Sequence, residues 1–157
     1  MPHHNATVHW SCDNAEDFAN GRYSRAHEWT FDGGQVVKGS SSPSVVGAPM
    51  SDPFGVDPEE ALVAAVSSCH MLWFLHLASR DGIVVRSYED APVGEGETTA
   101  DGAGRFVRAT LRPRIGLAPG SDRDAADRLH AEIGRYCFIA RSVSFPVGHE
   151  ASYFKIP

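Results

Sequence analysis

Cysteine is scarce in this 157-residue chain, with three residues at positions 12, 69 and 137. A secreted domain stapled by disulfides would be smaller and richer in cysteine, so the thiols read as separate groups in a reducing compartment. No CxxC pair and no HExxH run occurs, which removes the usual zinc signatures, and no metal or other cofactor is expected. Long Lys or Arg runs are also missing, and 14 basic against 20 acidic residues leave a net charge of −6. Such a surface repels polyanions on average, so nucleic acid is not an expected partner. The opening MPHHNATVHW has no basic start followed by an apolar core and does not read as a secretory signal. The strongest membrane candidate, Ala61 to Ala78, is uncharged but interrupted by Ser67, Ser68, Cys69, His70 and His76. Those interruptions suit a buried core helix better than a lipid-facing span. The expectation is a soluble, cytoplasmic protein with no membrane partner.

What is present is ordinary globular material. Apolar content of 42% and charged content of 22% argue against disorder, and the length suits one domain over residues 1–157. Ala6 to Cys12 and Tyr23 to Phe31 alternate like strands. Asp32-Gly33-Gly34 before Gln35-Val36-Val37 then reads as the turn of a hairpin, and 39–56 as a loop rich in Ser, Pro and Gly. Asp57-Pro58-Glu59-Glu60 is a helix start: Asp57 can accept a backbone N–H, Pro58 suits the first helical position, and Glu60 completes a capping box. The body that follows ends at Asp81-Gly82 and is apolar almost all round. One small sheet covers only one side of such a helix, which asks for a second copy of the chain on the other. A homodimer is therefore expected.

Ile83 to Val93 and Arg105 to Leu117 read as two longer strands joined by a flexible glycine-rich segment, 94–104. The arginines that alternate along the second strand read as a solvated sheet face. Asp122 to Tyr136 is a second helix with Ala126, Leu129, Ile133 and Tyr136 at core spacing, and Val143 to Val147 and Ser152 to Ile156 are closing strands. Strands, helix, strands, helix, strands is an α+β order.

Cys69 sits mid-helix among Ala65, Val66, Leu72 and Trp73. It is either an inert core thiol or a reactive one. A reactive thiol in apolar surroundings needs a cation from elsewhere to hold its charge, and arginine is best suited. Cys137 follows the second helix, where a packed thiol and a resolving thiol both fit. Cys12 has no supporting context.

The segment DPEEALVAAVSSCH, followed more than sixty residues later by HAEIGRYCFIA, resembles the OsmC and organic-hydroperoxide-resistance (Ohr) family. The opening YSRAHEWTFDGG and the loop SSSPSVVGAPMSDP are similar to one OsmC-like subgroup. The resemblance implies the OsmC-like fold, with antiparallel sheets wrapped around long central helices in an intertwined homodimer. It also implies a peroxiredoxin-like peroxidase that reduces organic hydroperoxides to alcohols and is recycled by an external dithiol reductant. Cys69 then corresponds to the peroxidatic cysteine and Cys137 to the resolving one, the two joining in a disulfide. Glu59 corresponds to a glutamate that holds a catalytic arginine, for which Arg25 is the first choice and Arg22 the second. Met71, Trp73 and Phe74 flank Cys69 and are either substrate-facing or core.

Two features depart from the family pattern. Cys137 is followed by Phe138 where the family often has proline, and His70 and His27 stand beside the cysteine and the arginine. Ten residues of helix, roughly 15 Å, separate Glu59 from Cys69, so the two would serve one site only from different subunits. The alternative reading is a non-peroxidatic member of the fold that binds a small apolar ligand. A metal protein built on His27, His70, His130 and the cysteines is a further rival without a recognised ligand spacing.

Overall fold

The computed structural model describes residues 2–157; Met1, the first residue of the expected 1–157 domain, lies outside the described residues. The chain separates into two compact units, Met1–Ala61 and Leu62–Pro157, with the boundary inside the long helix.

The first unit holds β1 (Ala6–His9), α1 (Ala15–Ala19), β2 (His27–Phe31) and β3 (Val36–Gly39), and its strands form one antiparallel sheet in chain order. The expected hairpin is β2–β3, in the register His27 to Gly39 and Thr30 to Val36. Gly34 turns the chain with φ of 80°, a backbone conformation that a side chain would strain. The strands are shorter than the alternation suggested. Residues between β1 and β2 form α1 instead, capped by Asn14, whose Oδ1 accepts the backbone N–H of Glu16 (3.0 Å) and of Asp17 (3.3 Å).

The long helix α2 (Pro58–Arg80) begins as expected. Asp57 Oδ1 accepts the Glu60 N–H at 2.7 Å and Glu60 returns the contact to the Asp57 N–H at 3.3 Å, a closed capping box. By length and composition alone α2 could cross a membrane. Its inward polar groups, however, bond to protein: Ser67 Oγ donates to Asp90 at 2.5 Å and His70 meets His130. Core helices do this, because a polar group buried without a partner is costly.

Beyond α2 the second unit contains β4 (Val85–Asp90), β5 (Val93–Thr98), β6 (Gly104–Leu111), β7 (Pro113–Leu117), α3 (Arg123–Ile133), β8 (Val147–His149) and β9 (Ser152–Lys155). Of the two long strands expected from the sequence, Ile83 to Val93 is essentially β4, whereas Arg105 to Leu117 is in fact a pair, β6 and β7. The break falls at Arg112 and sends the halves into different sheets, β5-β6-β8 and β4-β7-β9. The segment 94–104 is not a loose connection: β5 pairs with β6 through most of it. The sheets also differ from all-antiparallel in that β9 runs parallel to β7 and β8 parallel to β6. The chain between β7 and β9 includes α3, a crossover of the kind a parallel pair requires. Phe74, Leu77, Ile115, Leu117, Leu129 and Ile133 form the core between α2, the β4-β7-β9 sheet and α3. Tyr136 lies past the end of α3 and stacks on Trp73 at 4.9 Å instead of entering the core. The arginine stripe is solvated as expected, with Arg105 paired to Glu97 and Arg108 to Glu95, both at 2.6 Å on exposed surface.

Candidate active site

Cys69 and Cys137 are both free thiols, and Cys69 packs against the buried cluster that contains Cys137, near enough to influence its ionisation. The helix brings one and the turn after α3 brings the other. Cys69, on the flank of α2, packs against the core but remains half-buried, whereas Cys137 is fully buried. Backbone contacts fix Cys137: its N–H donates to Ile133 at 2.9 Å, and its sulfur accepts the Ala140 N–H at 3.3 Å. Burial pushes the Cys137 thiol up to about 11, with the adjacent Cys69 adding to the rise and the Ala140 N–H opposing it. Cys137 is thus held as a neutral thiol at ordinary pH.

The apolar residues proposed to face substrate separate on inspection. Phe74 is fully buried and stacks on His130 at 4.7 Å, so it belongs to the core and has no surface to offer a ligand. Met71 is half-buried on α2, and Trp73 lines a shallow hollow of about 200 Å³ with Leu72 and His76.

Arg22, Arg25 and Glu59 belong to the first unit. Arg22 is exposed and pairs with Asp17 at 3.5 Å. Arg25 is anchored: its N–H donates to Met50 at 2.7 Å, its Nη1 donates to the Tyr23 carbonyl at 2.8 Å, and its guanidinium lies 4.1 Å over the Tyr23 ring. Arg25 is thus the more firmly held of the two. Within one chain Glu59 forms no ion pair with either arginine, and among the described residues no carboxylate pairs with Arg25.

Beside Arg25 is a pocket of about 390 Å³ walled by Trp10, Phe18, Tyr23 and His27, with Ser40 and Ser41 at its edge. The three aromatic rings pack on one another at 4.9 to 5.8 Å. Sequence reasoning missed this cluster, because it needs α1 to carry Phe18 towards β1. The Asn14-Ala15-Glu16-Asp17 start was the available signal. It also missed the histidine pair of the second unit. His70 Nε2 meets His130 Nδ1 at 2.8 Å, and His130 Nε2 reaches the Tyr153 hydroxyl at 3.0 Å. Burial, helped by repulsion from His149 and opposed by Asp90, lowers His70 to about 4, and burial with repulsion from His70 and His149 lowers His130 to about 3. Among the described residues no group of three or more His, Cys, Asp and Glu is placed to hold a metal ion.

A helix-borne cysteine beside a second, buried cysteine, in an α+β chain with this strand order, defines a thiol protein of the OsmC fold. A family profile described as OsmC-like protein matches residues 50–151, about two thirds of the chain, and the protein belongs to that family. The chain is 40% identical to an OsmC-like protein of unknown function from Vibrio cholerae, with a TM-score of 0.90 over 97% of this chain and 100% of that one. It shares the fold of the organic hydroperoxide resistance protein OhrB of Bacillus subtilis, at 18% identity and a TM-score of 0.64 over 97% and 98% of the two chains. An organic hydroperoxide resistance protein OsmC from Legionella pneumophila has it too, at 15% identity and a TM-score of 0.67 over 98% and 97%. Among curated proteins none matches the chain.

Proposed function

We propose that the protein is a cytoplasmic thiol peroxidase that reduces organic hydroperoxides to alcohols, with Cys69 attacking and Cys137 resolving. The observation that carries this reading is the asymmetry between two neighbouring free thiols, one half-exposed and one sealed and held neutral. The half-exposed sulfur is the one a peroxide can reach. As a thiolate, Cys69 attacks the terminal peroxide oxygen; the O–O bond breaks, Cys69 becomes a sulfenic acid and an alkoxide leaves to take up a proton. The Cys137 thiol then displaces water from the sulfenic acid to form the disulfide, and an external dithiol restores both thiols as it is itself oxidised.

The charge that keeps Cys69 ionised is assigned to Arg25, held by Glu59 of a partner subunit in a homodimer. Family resemblance, the length of α2 and the single-chain geometry, in which Arg25 has no acid partner, support that assignment. So does Leu72, which stands 60% exposed on α2 and suits cover by a second copy. The aromatic pocket favours a second reading, in which the protein binds a small apolar ligand without turning it over.

Titration with an organic hydroperoxide, followed by mass spectrometry, separates the two. Wild type should consume peroxide and form a Cys69–Cys137 disulfide, Cys69→Ser should consume none, and Cys137→Ser should accumulate sulfenic and then sulfinic acid on Cys69. Consumption that survives Cys69→Ser refutes the peroxidase reading.

A further inference from the structure

Cys69 and Cys137 differ most in how a second molecule can meet them. Cys137 has no exposed surface and belongs to the buried cluster with Leu129 and Ile133, so no side of its sulfur opens to solvent. Cys69 packs on the edge of that cluster from α2 and keeps part of its surface. The turn that carries Cys137 is itself closed. The Cys137 N–H donates to the Ile133 carbonyl at 2.9 Å, the Arg141 N–H to the Cys137 carbonyl at 3.1 Å, and the Ser142 hydroxyl to the Phe138 carbonyl at 2.8 Å. Just before it, Tyr136 stacks on Trp73, which stands one helical turn beyond Cys69 on the same face of α2. Baring Cys137 to an incoming molecule would break these contacts together.

The same turn directs two backbone N–H groups at the Cys137 sulfur. Ala140 donates to it at 3.3 Å, and Ile139 adds a second bond. Inside a packed core a negative sulfur loses the hydration that would stabilise it. Backbone dipoles already fixed on the atom offset part of that loss without rearranging.

Resting on the peroxidase reading above, we propose that the oxidised protein is recycled through a mixed disulfide on Cys69, with Cys137 as the leaving thiol. Thiol–disulfide exchange is a displacement at sulfur, with attacker and leaving sulfur roughly in line, and its course depends on which sulfur can be reached. An attack on Cys69 comes from the open flank of α2, with Cys137 on the buried side. An attack on Cys137 would have to come through the core. In the balanced sequence, one thiolate of the dithiol reductant bonds to the Cys69 sulfur, the Cys69–Cys137 bond breaks, and its electron pair goes to Cys137. The Ala140 and Ile139 N–H groups hold that charge until a proton arrives. The second thiolate of the reductant then displaces Cys69 as a thiolate, and the reductant departs as a disulfide, having given up two electrons. Cys69 thus meets the peroxide and the reductant in turn, while Cys137 never leaves the core.

The test uses wild-type protein oxidised to the disulfide with cumene hydroperoxide and then exposed to a limiting amount of the monothiol cysteamine. Cysteamine carries no second thiol, so the mixed disulfide persists long enough to be caught. Samples are quenched in acid at successive times, free thiols are alkylated after denaturation, and the adduct is located by peptide mass spectrometry. Extrapolated to zero time, adducts on Cys69 should outnumber those on Cys137 by at least roughly tenfold, because access decides which sulfur is attacked. The same oxidised protein unfolded in concentrated urea should lose the preference. Adducts on Cys137 or an even division in the folded protein, or a preference that persists in urea, overturn this inference and leave the peroxidase reading intact. If cumene hydroperoxide produces no Cys69–Cys137 disulfide, the resolving role of Cys137 falls and this inference falls with it.

Discussion

The unit Met1–Ala61 seals away Ser40, Ser51 and Asp57, whereas among the described residues every buried apolar residue lies in Leu62–Pro157. Several apolar residues of the first unit face outward: Phe54 is 91% exposed, Val45 75% and Val8 66%. Its sheet is held by backbone pairing, the hairpin turn and the ring cluster of Trp10, Phe18 and Tyr23, and has little of the burial that stabilises folded domains. The second unit is built the other way, with Phe74, Ile115, Leu117 and Ile133 at zero exposure. The difference separates two tasks: one unit supplies a packed frame for the two thiols, and the other presents an anchored arginine and an aromatic pocket. A three-stranded sheet without a sealed core asks for further cover, in agreement with the proposed dimer.

The largest effect that tests this contrast is loss of a core ring. Phe74→Ala should cost about 3–5 kcal/mol, read as a shift of the denaturation midpoint, while Val36→Ala on the exposed sheet should change stability by under about 0.5 kcal/mol. A comparable loss at Val36 would mean that the first unit's surface is covered, and would locate the cover.

Acid comes next, because the second unit also buries His70 and His130. Their folded values of about 4 and 3 lie below the ordinary 6.5, so between 6.5 and these values the unfolded chain binds protons that the fold refuses. Stability should therefore be undiminished by these groups above pH 6.5 and fall as pH drops towards 3, by on the order of 3 kcal/mol for each histidine. Urea titrations at stepped pH should show this slope, and His70→Gln should flatten it. A profile that is flat from pH 7 to 4 would contradict the buried, neutral pair. The smallest effect belongs to the helix start: Asp57→Ala opens the capping box at the beginning of α2 and should cost about 1 kcal/mol in the same assay.

Local signals carried much of this outcome. The capping box at Asp57, the hairpin turn at Gly34 and the two cysteines with their helix context were legible because each depends on neighbours within a few residues. α1 was missed since a five-residue helix has too few turns to show a period, although its Asn14 cap was visible. The division of the second long strand at Arg112 was missed because its alternation of apolar and basic residues runs on through Pro113. Phe74 looked like a residue that could flank substrate, and only the arrival of α3 made it core.

From residue order alone came the α+β class, the long helix and its start, all consequences of periodicity and capping, whereas the link between a mid-helix cysteine and a later one came from the family resemblance. The tertiary structure alone decided which thiol is sealed, that Arg25 rather than Arg22 is anchored, and that His70 meets His130 across sixty residues. Those facts depend on packing between segments distant in the chain, where geometry and burial set the chemistry of a side chain and local sequence does not.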